Sequence, residues 1–320
     1  MPVKKTLISF LLAALFIVHF PAAFALKSEC RICTRGPSEL IWPCGLPFED
    51  PGYRIYGPDG SERGGLVRSE GEVCTWRVGD YSRRYVLMDG ERELSSAVLT
   101  VHVVPQNLPE IAAPPKGTIC LTFDDGPCEN TAEVLEILAE YNVKACFFIV
   151  GFQQKYLDIL PRIVAEGHTL GIHCYDHRAY RWLYQSAENY FSDLMQVQQI
   201  IYDRTGTVAH VLRFPGGSRT ASFLAWALEG GYPEFYGRLA DLGIRAYDWN
   251  VQPESGTKTT EGTIIDFTHP TEPYEYAVVL QHDTRYFSVK ALERMIQWAL
   301  SEGYTFAALD ASFPEIHFYD

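Results

Sequence analysis

Three stretches of the sequence carry side chains that could hold a metal ion and move protons beside it. Asp124 and Asp125 close an apolar run, His173 and His177 are four residues apart, and His282 ends another apolar run. Two histidines and one carboxylate are enough to hold a catalytic zinc with one position left for water, while a separate base and a separate acid transfer protons. These residue types therefore predict a metal-dependent hydrolytic site, in which the remaining aspartate and histidine are the base and the acid.

The elements that would position these side chains alternate between strand-like and helix-like patterns. Strands are predicted over Gly117–Phe123, Lys144–Gly151, Thr169–Cys174, His210–Pro215, Arg245–Val251, Tyr276–His282 and Thr305–Leu309. Between them, a 3.6-residue periodicity predicts helices over Thr131–Tyr141, Tyr156–Glu166, Ala187–Arg204, Ala221–Glu229 and Ser288–Ser301. The alternation favours an α/β fold, a distorted seven-stranded (β/α) barrel that is closed or nearly closed.

Polar side chains stand at or just after the ends of these predicted strands. They are Asp124, Asp125, His173, Arg213, Asp248 and His282. Because the carboxyl ends of barrel strands converge on one face, residues far apart in the sequence can meet there. We therefore expect one shared pocket.

Five motifs follow one another along the second half of the chain: Thr122–Pro127, His173–His177, Arg213–Gly217, Tyr247–Trp249 and Leu280–Asp283. With these motifs in this order, residues 116–310 resemble the polysaccharide deacetylases, the NodB-homology domain of carbohydrate esterase family four. Each motif alone is a weak signal, and an Asp-Asp-Gly sequence is more often a simple turn, but their joint occurrence at strand ends is specific.

The resemblance implies a role for each matching residue on the metal side of the site. Asp124 would be the catalytic base, and Asp125, His173 and His177 would be the metal ligands. Arg213 would pair with Asp124 and keep it ionised and oriented. Zinc is the default metal, and cobalt and nickel suit the same donor set.

On the substrate side, the resemblance implies that the backbone N–H of Gly216 helps bind the oxyanion. The family often has a tyrosine at this position, so the amide donor is kept here without the aromatic wall. His282 would be the general acid, oriented by Asp248, and Trp249 and Leu280 would line the acetyl pocket.

Eight cysteines are divided evenly between the two halves of the chain. Cys30, Cys33, Cys44 and Cys74 could form two disulfides in any of three connectivities; a structural zinc is the rival interpretation. Cys174 stands where the family has Ser or Thr, and we hypothesise a Cys128–Cys174 disulfide that braces the metal loop. Cys120 and Cys146 fall in predicted core strands and are expected to be buried.

Residues 1–25 have the features of a secretory signal peptide: Lys4 and Lys5, an apolar run, and small residues before a cleavage point after Ala25. The run is too short to span a bilayer comfortably, so we expect no stable membrane insertion after cleavage. Without the two lysines the formal charge goes from −13 to −15. This charge disfavours nucleic acid and anionic membranes as partners and is compatible with a neutral glycan.

The remaining domain boundaries follow from composition. Residues 26–105 read as a small all-β module in which Gly71–Val78, Arg84–Leu87 and Ser96–Val103 alternate polar and apolar residues. The module resembles bacterial immunoglobulin-like domains in its last strands, and it could hold the enzyme near a cell wall or serve only as a spacer. A proline-rich linker, residues 106–115, precedes the deacetylase domain at 116–310, and residues 311–320 form a C-terminal tail.

Together these features predict a secreted hydrolase, either free or associated with the cell wall, that removes N-acetyl groups from N-acetylglucosamine in peptidoglycan or a chitin-like oligomer. Two alternatives stay open: a non-catalytic glycan-binding protein on the same fold, and a deacetylase of O-acetylated xylan.

Overall fold

The computed structural model describes residues 30–220, 232–270 and 273–318. The predicted signal peptide and the helix predicted over Ala221–Glu229 lie outside the described residues. Two compact units are distinguished. The smaller contains residues 30–36, 51–70 and 84–98, and the larger contains residues 37–50, 71–83 and the chain from residue 99 onward. The predicted domain boundaries stay predictions.

The N-terminal part of the described chain contains strands. They are β1 (Arg31–Thr34), β2 (Glu39–Pro43), β3 (Tyr53–Tyr56), β4 (Glu62–Arg63), β5 (Leu66–Glu70), β6 (Gly79–Asp89) and β7 (Arg92–Val104). In the smaller unit, β1, β3 and β4 form an antiparallel sheet, and β5 pairs antiparallel with the second half of β6. In the larger unit, β2 pairs parallel with the end of β7. The immunoglobulin-like module stays a prediction.

One strand prediction in this region is wrong, because residues 71–78 form no strand. Gly71 has a left-handed φ of +82°, and a Cβ at this position would collide with the backbone carbonyl of Ser82. Only glycine fits such a position, so the chain turns where the alternating pattern suggested an extended segment.

The described strands of the C-terminal half form a sheet that is parallel throughout. Its strands are β8 (Thr118–Asp124), β9 (Cys146–Val150), β10 (Thr169–Cys174), β11 (Val211–Leu212), β12 (Arg245–Ala246), β13 (Tyr276–His282) and β14 (Thr305–Phe306). They lie in the order β12-β11-β10-β9-β8-β13, and β14 also pairs with β8. A parallel bridge between Val251 and Val279 joins the chain after β12 to β13, so the sheet curls. The predicted α/β class with a curled parallel sheet is confirmed.

Helices connect these strands. They are α1 (Thr131–Glu140), α2 (Leu160–Ala165), α3 (Tyr180–Leu183), α4 (Ala187–Thr205), α5 (Tyr232–Asp241), α6 (Thr260–Thr268) and α7 (Tyr286–Ser301). The ends of α4 are well specified, since the Ser186 hydroxyl accepts from the Asn189 amide at 3.1 Å and Gly206 follows in the left-handed region. Within the described residues, no helix is both long and apolar enough to cross a membrane.

The core lies on both faces of the sheet. Every residue of β8 and β9 is buried, as expected of strands covered on two sides. Cys120 and Cys146 belong to the buried cluster, which confirms that part of the cysteine prediction. Ala311, Phe313 and Ile316 also pack against this cluster, so the chain after residue 310 is part of the folded body.

The disulfide predictions are not supported, because all eight cysteines are free thiols in the structure. Cys174 is buried at the end of β10. The Cys128 sulfur instead faces the start of α1, where the Asn130 amide lies 3.4 Å away and the Thr131 hydroxyl 3.9 Å away. The two side chains therefore have separate environments rather than a shared bond.

Candidate active site

The three predicted metal ligands come together at the carboxyl ends of the strands. Asp125 follows β8, His173 lies near the end of β10, and His177 begins a short 3-10 helix. One potential ligand atom from each lies within 4.8 Å of the others. The Nε2 atom of His173 lies 3.5 Å from Oδ1 of Asp125. Such spacing suits a single ion bound by two imidazoles and one carboxylate.

The local backbone conformation and hydrogen bonds orient the predicted ligand side chains. Asp125 has a left-handed φ of +69°, a conformation that aspartate tolerates better than most residues, so Asp124 and Asp125 can point in different directions. Nδ1 of His173 donates to the Arg213 carbonyl at 2.8 Å, which leaves Nε2 for a metal. Burial lowers the pKa of His173 and favours the neutral ligand form. Oδ1 of Asp125 is buried without a hydrogen-bond partner in the described part of the chain, as a ligand atom would be.

The loop between the two histidines is not a helical turn, although a spacing of four residues is compatible with one. β10 stays extended to Cys174, and the chain then turns into the 3-10 helix His177–Ala179. The Tyr175 amide donates to Oδ1 of Asp193 on α4 at 2.8 Å, and the Asp176 side chain caps the 3-10 helix. Burial raises the pKa of Asp193 to about 6. The imidazoles thus meet because a tertiary contact holds the turn.

Asp124 and Arg213 form a buried ion pair, as predicted. Nη1 of Arg213 donates to Oδ1 of Asp124 at 2.9 Å, and the guanidinium is fully buried. Its other hydrogen bonds go to the Thr122 hydroxyl and to the carbonyls of Tyr247 and Asp248. Because all these partners are at strand ends, Arg213 fixes the orientation of Asp124 from several sides.

His282 is oriented by a residue that the sequence analysis did not single out. Its Nδ1 donates to Oε2 of Glu254 at 2.8 Å, and its backbone amide donates to Oε1 at 3.0 Å. Arg285 donates to the same Oε2 at 2.6 Å. Glu254 is buried, so this carboxylate is held as firmly as Asp124.

The prediction that Asp248 orients His282 is therefore wrong. The Asp248 carboxylate accepts from the Ser218 amide and the Phe318 amide, each at 2.9 Å, and from the Ser218 hydroxyl. It ties the loop after β11 to the C-terminal segment. Glu254 stands in an irregular segment six residues further on, where no spacing rule links it to a histidine on β13.

The side chains predicted to be the acid, the base and the metal ligands face one another. Nε2 of His282 lies 3.9 Å from Oδ2 of Asp125. Burial acts to lower the pKa of His282, but the hydrogen bond that its imidazole donates to Glu254 and the charges of Asp124 and Glu254 outweigh it, and the pKa is raised. An imidazole with this environment stays protonated to higher pH, as a general acid requires.

Trp249, one of the three residues predicted to bind the substrate, borders an open cleft. Gly216 is exposed with a left-handed φ of +77°. Trp249 packs edge-on against Phe318 at 4.8 Å, and Leu280 is buried in β13. The cleft has a volume of about 530 Å³ and is lined by Arg219, Trp249, Asn250, Gln252, Ile316, His317 and Phe318. Aromatic faces beside amide and guanidinium groups are suited to a polar ligand with apolar faces.

Comparisons with known proteins agree with this geometry. A family model described as polysaccharide deacetylase matches residues 112–235. A peptidoglycan-N-acetylglucosamine deacetylase of Bacillus cereus is 31% identical over 208 residues, which cover 62% of this chain and 72% of the relative.

Two solved structures have a similar fold. The catalytic domain of a peptidoglycan N-acetylglucosamine deacetylase from Eubacterium rectale has a TM-score of 0.61 at 35% identity, covering 65% of this chain and 96% of that one. A polysaccharide deacetylase of Bacillus cereus has a TM-score of 0.55 at 26% identity, covering 64% and 98%. The prediction of a hydrolase of this kind is confirmed at the level of the family. The five motifs fall at the strand ends where the candidate site is assembled. Together with these matches, they show that the chain belongs to the polysaccharide deacetylase family.

Proposed function

We propose that this protein is an exported, metal-dependent deacetylase that hydrolyses the N-acetyl groups of N-acetylglucosamine residues in peptidoglycan or a chitin-like glycan. The observation that carries the proposal is the grouping of Asp125, His173 and His177 beside a buried carboxylate, Asp124, and a carboxylate-bound imidazole, His282. The names of the similar proteins support the N-acetylglucosamine assignment.

The metal ligands would be Asp125, His173 and His177. The donor set fits a divalent ion, because His173 keeps Nε2 available and Asp125 has a buried oxygen without a partner among the described residues. When bound, the ion lowers the pKa of a coordinated water and polarises the acetyl carbonyl. Zinc is the expected metal, with cobalt and nickel as alternatives.

The proton transfers belong to the protein's own side chains. Asp124, oriented by Arg213, accepts the proton of the attacking water. The backbone N–H of Gly216 donates to the acetyl oxygen as negative charge develops there. His282, supported by Glu254, donates a proton to the nitrogen of the leaving amine. Acetate and a free amino sugar are released without a covalent enzyme intermediate.

Trp249 and Leu280 would line the pocket for the acetyl group, and the cleft beside Trp249 would hold neighbouring sugars. The export proposal depends on the signal-peptide features of residues 1–25. The secreted enzyme would either stay near the cell wall or be released. The N-terminal strands would then place the catalytic unit near its polymer.

We expect acetate release from peptidoglycan and from chitin oligomers, and loss of that release when a chelator removes the metal. Because Asp125, His173 and His177 would bind an ion again once it is supplied, added zinc should restore the activity of the chelated protein. Acetate is measured by an enzyme-coupled assay on peptidoglycan, chitin oligomers and acetylated xylan, with heat-inactivated protein as the control. Release from xylan alone would favour the ester alternative. Glycan binding without release from any substrate would favour the non-catalytic alternative and overturn the proposal.

A further inference from the structure

A tyrosine next to the metal loop is not accounted for by the site described above. Tyr180 begins α3, three residues after His177, and its ring stacks beside that imidazole at 6.0 Å with 25° between the planes. The side chain is half-buried. Within residues 30–220, 232–270 and 273–318, its hydroxyl makes no hydrogen bond, which leaves it available to a ligand.

The Tyr180 hydroxyl lies over Gly216. A Cβ added to Gly216 would be 2.7 Å from Cγ2 of Thr220, 2.9 Å from the Tyr180 hydroxyl oxygen and 3.5 Å from Cε2 of the Tyr180 ring. Tyr180 and Thr220 therefore fill the space that a side chain at position 216 would take. The hydroxyl and the Gly216 backbone amide are neighbours at the same edge of the site.

A second tyrosine holds these two groups in a fixed relation. The Tyr184 ring packs edge-on against the Tyr180 ring at 4.9 Å, and the Tyr184 hydroxyl donates to the Pro215 carbonyl at 3.0 Å. That carbonyl belongs to the same peptide group as the Gly216 N–H, so the bond orients and polarises the amide. Burial raises the pKa of Tyr184 well above its usual range, which keeps the hydroxyl protonated as a donor.

Because His177 covers one face of the Tyr180 ring and Tyr184 meets its edge, the hydroxyl is the part of the side chain best placed to meet a ligand. We propose that Tyr180 is a further catalytic residue, whose hydroxyl donates a second hydrogen bond to the acetyl oxygen beside the Gly216 amide. The inference rests on the proposed deacetylase function, and it assigns the oxyanion site two donors from separate loops, with Tyr184 as the positioning residue.

The variants Tyr180→Phe and Tyr180→Leu test this assignment. Removing one donor to a developing oxyanion typically lowers kcat by 100-fold or more, so Tyr180→Phe should lower kcat by about 100-fold with KM changed less than about twofold. A packing role alone predicts that Phe behaves like the wild type and only Leu is impaired. Tyr202→Phe on α4 is the matched control and should keep wild-type kinetics. Zinc content and thermal midpoint should be unchanged in Tyr180→Phe.

A wild-type kcat in Tyr180→Phe, or a rise in KM alone, overturns the assignment of Tyr180 while the deacetylase function stands. A wild-type protein that releases no acetate from any glycan is a different result, because it removes the proposed function itself. The comparison of the wild type with Tyr180→Phe on one chitin oligomer therefore separates the two failures.

Discussion

The variant Asp124→Asn should release acetate at least about a thousandfold more slowly than the wild type and still bind its metal. A general base contributes roughly 10²–10⁴ to a rate, and asparagine cannot accept the proton of the attacking water. The amide is nearly the same size as the carboxylate and can still accept from Arg213, so the local packing should persist. Asp125 and the two histidines are untouched.

Acetate release and metal content are measured together on the same preparation. Because Arg213 is fully buried, loss of its partner's charge will also reduce the free energy of unfolding, and the thermal midpoint shows whether the variant is folded at the assay temperature. The matched control is Asp158→Asn, an exposed aspartate paired with Arg204, which should keep full activity. Unchanged turnover in Asp124→Asn would remove Asp124 as the base.

The variant Glu254→Gln should shift the alkaline limb of the kcat–pH profile to lower pH. The wild-type pKa of His282 is raised, so the acid is protonated below that pKa and activity is lost as pH rises through it. Glutamine removes the charge of Glu254, while the burial that lowers the pKa remains. At pH 8 we expect a loss of about tenfold in kcat, and a smaller loss near pH 6.

The comparison variant is Asp248→Asn. Because Asp248 bonds to Ser218 and Phe318 and not to His282, this change should leave the alkaline limb in place, whatever it does to the loop after β11. Glu261→Gln, an exposed glutamate paired with Arg294, is the matched surface control. The account of His282 fails if Asp248→Asn moves the limb and Glu254→Gln does not.

Much of the site could be predicted because its residues stand at the ends of strands. The strands β8 and β13 are continuous apolar runs, and parallel pairing places Asp124 directly opposite His282. The position of Arg213 after β11 likewise puts its guanidinium within reach of Asp124. In such a fold, residues that are distant in the sequence become neighbours at the carboxyl ends of adjacent strands. The polar residue that ends each apolar run can be recognised in the sequence.

Glu254 and Tyr180 could not be predicted in the same way. Glu254 lies in an irregular segment after β12, and Tyr180 begins a helix of a single turn. Glu254 contacts His282, and Tyr180 lies beside Gly216. Both residues come from loops whose sequences have no periodic pattern. The carboxylate at Asp248 fitted the motif but was already engaged by backbone amides, which only the fold reveals.

The helices α5 and α6 were missed for a related reason. They are short, and α6 has few residues on its buried side: Thr263, Ile264 and Phe267. Its start signal was present, since the Thr259 side chain accepts from the Gly262 amide at 3.1 Å, but it precedes no long apolar stripe. Packing against α7, rather than an apolar pattern in its own sequence, stabilises this helix.

The central claim is that Asp125, His173 and His177 hold one divalent cation. Diffraction data from zinc-loaded crystals, collected on both sides of the zinc absorption edge, test it directly. We predict a single anomalous peak at about 2.0–2.2 Å from one carboxylate oxygen of Asp125 and from one imidazole nitrogen of each histidine. The absence of a peak there at saturating zinc, or a peak held by other side chains, would contradict the account.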